Sequence, residues 1–244
     1  MLLAHLSDTH VGATDEATPR IQRVLAHLDG LRQRPDAVLI TGDLADHGTE
    51  DEYEQLKSLL GDRDVLMCPG NHDRRAAYRK VLLGADADDA PINSVADRPG
   101  GRFVLLDSSI PGEDGGRLDD TTLAFLAHAL RDCDRELPVF VAFHHPPVEL
   151  HVPFIDEIRQ RDEERLAAVV AEHPNVVALL CGHAHLPAAS TFAGRPLLVA
   201  PGVVSTLGLP WETDELVDYS RPPAIAYHLL GADRRLTTHY RLVL

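Results

Sequence analysis

Five short segments of this 244-residue chain carry side chains suited to holding divalent metal ions: Ser7-Asp8-Thr9-His10, Gly42-Asp43, Gly70-Asn71-His72-Asp73, His144-His145-Pro146 and Gly182-His183-Ala184-His185. Each follows an apolar run of strand-like composition. Carboxylate, amide and imidazole donors are what Mn, Fe, Zn and Co take from proteins, and several imidazoles argue against a site for Ca or Mg alone. One residue separates Asp8 from His10, and one separates His183 from His185. At an extended strand end that spacing aims both side chains to the same side. The two carboxylate oxygens of Asp43 can bridge two cations, and Gly42 before it allows close backbone approach. Taken singly, these segments have ordinary readings. Asp-x-His and Gly-Asp are turns, Asn71 is a left-handed turn residue, and Asp73 is the N-cap of a helix starting at Arg74, the reading preferred for it. What departs from background is the succession of five such turns, each at the carboxyl end of a predicted strand.

The elements that must position these turns read as alternating strands and helices. Strands are expected at 2–6, 37–41, 64–68, 102–106, 139–143 and 176–180, where short apolar runs are bounded by turn residues. Ile21, Val24, Leu25, Leu28 and Leu31 recur at helical spacing after Pro19, giving a helix over about 19–33. Tyr53, Leu56, Leu59 and Leu60 mark a second helix ended by Gly61. Further helices are expected over about 74–83, 119–131 and 156–172. After residue 186 the runs at 188–192, 196–200, 224–229 and 236–242, with a turn at Gly194-Arg195, suggest a mixed or antiparallel second sheet. Stretches 84–101 and 207–223 read as loops. The length and the absence of repeats are those of a single domain spanning 1–244.

Lys and Arg number 23 against 38 Asp and Glu, a formal charge of -15. That balance disfavours a polynucleotide or an anionic membrane surface as partner and leaves a small, locally steered substrate. The three cysteines, Cys68, Cys133 and Cys181, suggest buried free thiols and no disulfide framework. The start of the chain lacks a basic region followed by a long apolar stretch, so a cytoplasmic location is expected.

In order and spelling the five segments resemble those of the calcineurin-like metallophosphoesterases, over residues 3 to about 200. The Asp8-Thr9-His10 start, the run His144 to Pro147 and Gly182-His183-Ala184-His185 are most similar to bacterial class III 3′,5′-cyclic nucleotide phosphodiesterases and related glycerophosphodiesterases. The resemblance implies an α/β fold, a four-layer αββα sandwich of two mixed β-sheets flanked by helices. It implies two divalent or mixed-valence metal ions, the first held by Asp8, His10, Asp43 and His185, the second by Asp43, Asn71, His144 and His183. His145 falls outside that set as an outer or structural residue, although a one-residue register error would exchange it with His144. Asn71 and His72 would contact the substrate, and His72 would hydrogen-bond the phosphoryl group or protonate the leaving alkoxide. Two ions about 3.5–4 Å apart would activate water and clamp the phosphoryl oxygens. Set against Asp8, Asp43 and a hydroxide, they would leave a local charge of about +1 on an acidic protein. The expected substrate is a small phosphodiester, a cyclic nucleotide foremost. A glycerophosphodiesterase, a phosphomonoesterase and a non-catalytic metal-binding regulator are the other readings. Asp46 and His47 could reach the cleft rim or sit in an exposed loop. Segments 149–164 and 207–223, with Phe154, Ile155 and Trp211, could form a lid, a homodimer surface or ordinary loops.

Overall fold

A computed structural model describes residues 1–244. Strands β1 (Leu2–Leu6), β2 (Ala37–Thr41) and β3 (Val65–Cys68) alternate with helices α1 (Ala17–Asp29) and α2 (Glu50–Leu60). Helix α3 (Arg75–Tyr78) continues as a π-helical turn over Arg79–Leu83, before strands β4 (Ser94–Arg98), β5 (Gly101–Leu105), β6 (Ser109–Ile110) and β7 (Glu113–Arg117). Next come α4 (Asp120–Arg131), β8 (Val139–Ala142), α5 (Pro153–Glu157), β9 (Gln160–Arg161), α6 (Glu163–Ala171) and β10 (Val176–Cys181). The remaining strands are β11 (Ala188–Phe192), β12 (Arg195–Val199), β13 (Thr206–Leu207), β14 (Val217–Asp218), β15 (Ala224–Leu230) and β16 (Leu236–Leu242).

Two sheets account for most of the strands, in the orders β16-β15-β1-β2-β3 and β11-β12-β10-β8-β5-β4. Each has a parallel centre, β1-β2-β3 in one and β12-β10-β8-β5 in the other, with antiparallel strands at its margins. Period-two alternation sorts the side chains into layers. On β1, Ala4 and Leu6 pack with Ile21, Val24 and Leu28 of α1 and Tyr53 and Leu56 of α2. Leu3 faces the other way, into a second layer with Leu39, Phe103, Phe140 and Leu180, where the two sheets meet. Beyond the second sheet, Val104, Val141 and Leu179 pack against Leu123 and Leu126 of α4 and Leu166 and Val170 of α6. Three apolar layers between four layers of structure make the αββα sandwich. Because β1, β2, β3, β8 and β10 run parallel within their sheets, the turns that follow them lie at carboxyl ends, the usual place for a site in such sheets.

Several expectations need correction. Of the strands after residue 186, only β13 and β14, at or within the stretch expected as loop, pair as a small sheet of their own; the four expected runs do not. β11 and β12 extend the second sheet beside β10, while β15 and β16 extend the first beside β1, pairing an edge that would otherwise be left open. The hairpin turn is Ala193-Gly194, with both φ positive at 48° and 72°, as a two-residue turn matching strand twist demands. Stretch 84–101 contains β4, a mostly polar edge strand without the apolar alternation that signals one. The helix expected over 156–172 is two, α5 and α6, interrupted where Gln160 and Arg161 pair with Gly116 and Arg117.

Candidate metal centre

Thr41 is the last residue of β2, and its carbonyl accepts from Ser7 Oγ at 2.9 Å and from His144 Nδ1 at 2.6 Å. The turns after β1, β2 and β8 are thereby locked to one point. The sheets come so close here that a Cβ on Gly182 would overlap Ser7 Oγ, and one on Gly42 would overlap the His144 ring. Asp8, His10, Asp43, His183 and His185 all adopt positive φ, between 40° and 70°, five of the nine non-glycine residues that do so. Asp and His tolerate that region better than most side chains, yet each such residue still carries strain, which concentrates at functional sites. The spacing of Asp8-Thr9-His10 and His183-Ala184-His185 therefore works through left-handed turns, not through the extended alternation expected of a strand end.

The side chains converge. His10 Nε2 lies 3.2 Å from His185 Nε2 and 3.5 Å from Asp43 Oδ2. His185 Nε2 lies 3.5 Å from Asp8 Oδ1. On the other side of Asp43, His144 Nε2 sits 3.2 Å from Asp43 Oδ2 and 3.2 Å from His183 Nδ1. Asp8 Oδ2, Asn71 Oδ1 and His183 Nε2 are buried with no hydrogen-bond partner. On three of the four imidazoles, by contrast, the outward nitrogen is held by oxygen: His10 Nδ1 donates to Asp46 Oδ1 at 2.9 Å, His144 Nδ1 to Thr41 O, and His185 Nδ1 shares a 2.7 Å hydrogen bond with Ser205 Oγ. A carbonyl can only accept, so the neutral His144 ring carries its proton on Nδ1 and turns the Nε2 lone pair toward the Asp43 carboxylate. A ring nitrogen 3.2 Å from a carboxylate in a buried site calls for positive charge between them, supplied by a proton on Nε2 or by a metal ion. The donor set fits divalent metal ions, and oxygens on the far ring nitrogens are the supports that orient metal-binding histidines.

A calcineurin-like phosphoesterase family model matches residues 1–187. A probable cyclic nucleotide phosphodiesterase from Rhodococcus erythropolis is 38% identical over 219 residues, covering 85% of this chain and 72% of the relative. The chain belongs to the calcineurin-like phosphoesterases. A glycerophosphodiester phosphodiesterase from Enterobacter lignolyticus is 32% identical, with 95% of this chain and 88% of the relative covered. In fold, a dimetal phosphatase from Danio rerio superposes with a TM-score of 0.75 at 16% identity, covering 100% of this chain and 96% of that one. Phosphoesterases of this family use a dinuclear metal centre, and the Asp and His groups here could hold such a pair.

In this phosphoesterase the carboxylates set the electrostatics. Burial opposes a charge on His144, but Asp43 and Asp8 outweigh it and push its pKa up to about 9. Burial also works against ionising Asp43, yet His144 and then His10 hold its carboxyl well below the usual range. The cluster thus demands positive charge beside Asp43. Burial holds His185 down to about 4 and His183 lower than its ordinary value, keeping both imidazoles in the neutral form a metal needs.

His145 lies within reach of His144 and His183. Both of its ring nitrogens are engaged elsewhere, with Ser108 Oγ at 2.8 Å and Asp114 O at 3.2 Å. Asp73 does not cap α3. Its carboxylate accepts from the amides of Gly70, Leu44 and Ala45 and from Tyr53 Oη, binding the Gly42-Asp43 turn to the Asn71-His72 turn. His72 is part-exposed at the rim, edge-on to His10 with ring centroids 4.6 Å apart. Its Nδ1 donates to Asp46 O at 2.7 Å, leaving Nε2 for the cleft. Asp46 thus supports His10 by its side chain and His72 by its backbone. The place of Asp46 three residues after Asp43 is the signal for this role in the sequence. His47 pairs with Glu52 at the start of α2. Ser205 and the Thr41 carbonyl had no signal in the sequence. No helix is long and apolar enough to cross a membrane.

Proposed function

We propose that this phosphoesterase hydrolyses small phosphodiesters, 3′,5′-cyclic nucleotides such as cAMP foremost, at a centre where Asp8, His10, Asp43 and His185 hold one metal ion and Asp43, Asn71, His144 and His183 hold a second. The observation that carries this reading is that three of these ligands, Asp8 Oδ2, Asn71 Oδ1 and His183 Nε2, are buried without a hydrogen-bond partner while His144 Nε2 sits 3.2 Å from Asp43 Oδ2. Four imidazoles with oxygen donors and no thiolate suit Mn, Fe, Zn or Co. When bound, the ions supply Lewis acidity to the phosphoryl group and to water. The chain's own residues do the rest. Asp43 sits between the two donor sets and couples them. The amide of His72 donates to Asp43 Oδ1 at 3.0 Å and fixes which carboxylate oxygens face inward. Asn71 and His72 meet the phosphoryl group, and protonated His72, steadied by Asp46 O, gives a proton from Nε2 to the leaving alkoxide. The net charge of -15 fits a cytoplasmic enzyme acting on a small molecule and not on a polynucleotide.

The likeness to the glycerophosphodiester phosphodiesterase, over 95% of this chain, supports glycerophosphodiesters as a second substrate class. Metal-loaded protein assayed on cyclic AMP, a glycerophosphodiester and an aryl monoester decides. Diesters should show the higher kcat/KM, since a centre of small positive charge with an acid for the leaving group suits a monoanion. A monoester preference overturns the diesterase reading.

A further inference from the structure

Two cavities open from the metal-capable cluster and share Asp46, Asn71, His72 and Asp114. One, of about 480 Å³, is polar, with Arg74, Arg75 and Asp89 in its walls. The other, of about 290 Å³, has His10, Asp43, His183 and His185 on one side. Its lining also includes Phe154, Ile155, Leu207, Val217 and Tyr219, from the segments 149–164 and 207–223. A group esterified to a phosphoryl held at Asn71 and His72 must extend into one cavity or the other.

The rims of the apolar cavity are aromatic and wet. Phe154 is 49% exposed and Tyr219 53% exposed, while their backbones are anchored. Ile155, beside Phe154, is buried in the core around α4 and α6. Buried Arg20 donates to Tyr219 O at 3.1 Å, to Val203 O and to Arg221 O, and Leu207 pairs with Val217. With the backbone held in this way, only the two side-chain torsions of each ring remain to be ordered when a ligand covers it. A glycerol substituent has no face to lay on them. A nucleobase has one, and stacking on aromatic side chains accepts any base. The volume lies at the small end of ligand sites, enough for one nucleoside-sized group.

We infer that this cavity is the nucleobase subsite of a nucleoside phosphodiester, with the rings of Phe154 and Tyr219 as its recognition surface. The inference rests on the phosphodiesterase reading above, and its test separates the two. Calorimetry on the metal-loaded protein compares adenosine 5′-monophosphate with ribose 5-phosphate, which has the same phosphate and sugar without the base. The wild type should bind the nucleotide at least about tenfold more tightly. The Phe154→Ala/Tyr219→Ala double variant should lose most of that preference, with ribose 5-phosphate affinity and metal content unchanged, and Tyr219→Phe should keep it. In turnover of cyclic AMP the double variant should show a KM raised about tenfold and kcat nearly unchanged. Equal affinities in the wild type, or a preference that survives the double substitution, overturn the subsite. If cyclic AMP is not hydrolysed but the nucleotide preference is present and lost in the variant, the subsite stands and the reaction reading fails.

Discussion

Asp43 is the residue on which the site turns. It lies 3.5 Å from His10 Nε2 and 3.2 Å from His144 Nε2, so it belongs to both donor groups. Asp43→Ala should lower metal content at both positions, whereas Asn71→Ala should lower mainly one; elemental analysis after reloading reads the difference, and equal losses from Asn71→Ala would refute the division of ligands. His72 has a separate role. His72→Ala should leave metal content intact and cut kcat by roughly 10² to 10⁴-fold on a diester with an alkoxide leaving group. On a nitrophenyl diester the loss should be much smaller, because that leaving group hardly needs a proton. Equal losses would assign His72 to positioning the phosphoryl group.

At the scale of elements, the inner face of the first sheet carries a buried polar chain among its apolar neighbours. His5 on β1 contacts His228 on β15 at 3.1 Å and Thr41 Oγ1 on β2 at 2.9 Å, and His228 reaches Thr238 Oγ1 on β16 at 2.8 Å. Burial lowers the pKa of His228 to about 3, and burial together with His228 lowers that of His5. An unfolded histidine takes a proton below about 6.5, so unfolding binds protons the folded sheet refuses until about pH 3. The contribution of these two rings to stability is therefore level above about pH 6.5 and falls as pH drops below it. Between pH 7.5 and 5, His228 alone should account for a loss of about 2 kcal/mol. Urea unfolding at both pH values should show His228→Gln losing about that much less than the wild type, and identical losses would mean that the ring is protonated in the folded sheet.

The whole molecule is held at the site by both sheets. Asp8, Asp43 and Asn71 follow strands of the first sheet, and His144, His183 and His185 follow strands of the second. Ions held between them, as proposed, would tie the layers together and stabilise only the folded state. Chelation should lower Tm by several degrees, reversibly on reloading, and Asp43→Asn should shrink the difference; a Tm indifferent to chelator would exclude ions shared across the two sheets. Two carboxylates, Asp8 and Asp43, are buried at this junction, a further reason why removing cations should loosen it.

Much of this was legible from the chain alone. Donor chemistry belongs to the residue, and strands such as Leu2–Leu6 and Val176–Cys181 announce themselves by local apolar runs, so the five turns could be read directly, while the αββα class followed from the family resemblance those turns carry. Where local patterning gave no signal, the tertiary structure decided. The polar edge strand β4 forms because β5 offers it a partner, and β15 closes the edge of β1 from more than 200 residues away. The left-handed turns at Asp8, His10, Asp43, His183 and His185 arise where two sheet ends press together, a constraint that no spacing within one turn contains. Asp73 looked like a helix cap because that is its local option, but the amides of a neighbouring loop claimed it. The partners that fix three of the four imidazoles, Thr41 O, Asp46 and Ser205, lie 20 to 103 residues from the rings they hold. A sequence determines which groups can bind a metal; only the packing of distant backbone and side-chain oxygens around their far nitrogens determines where they point.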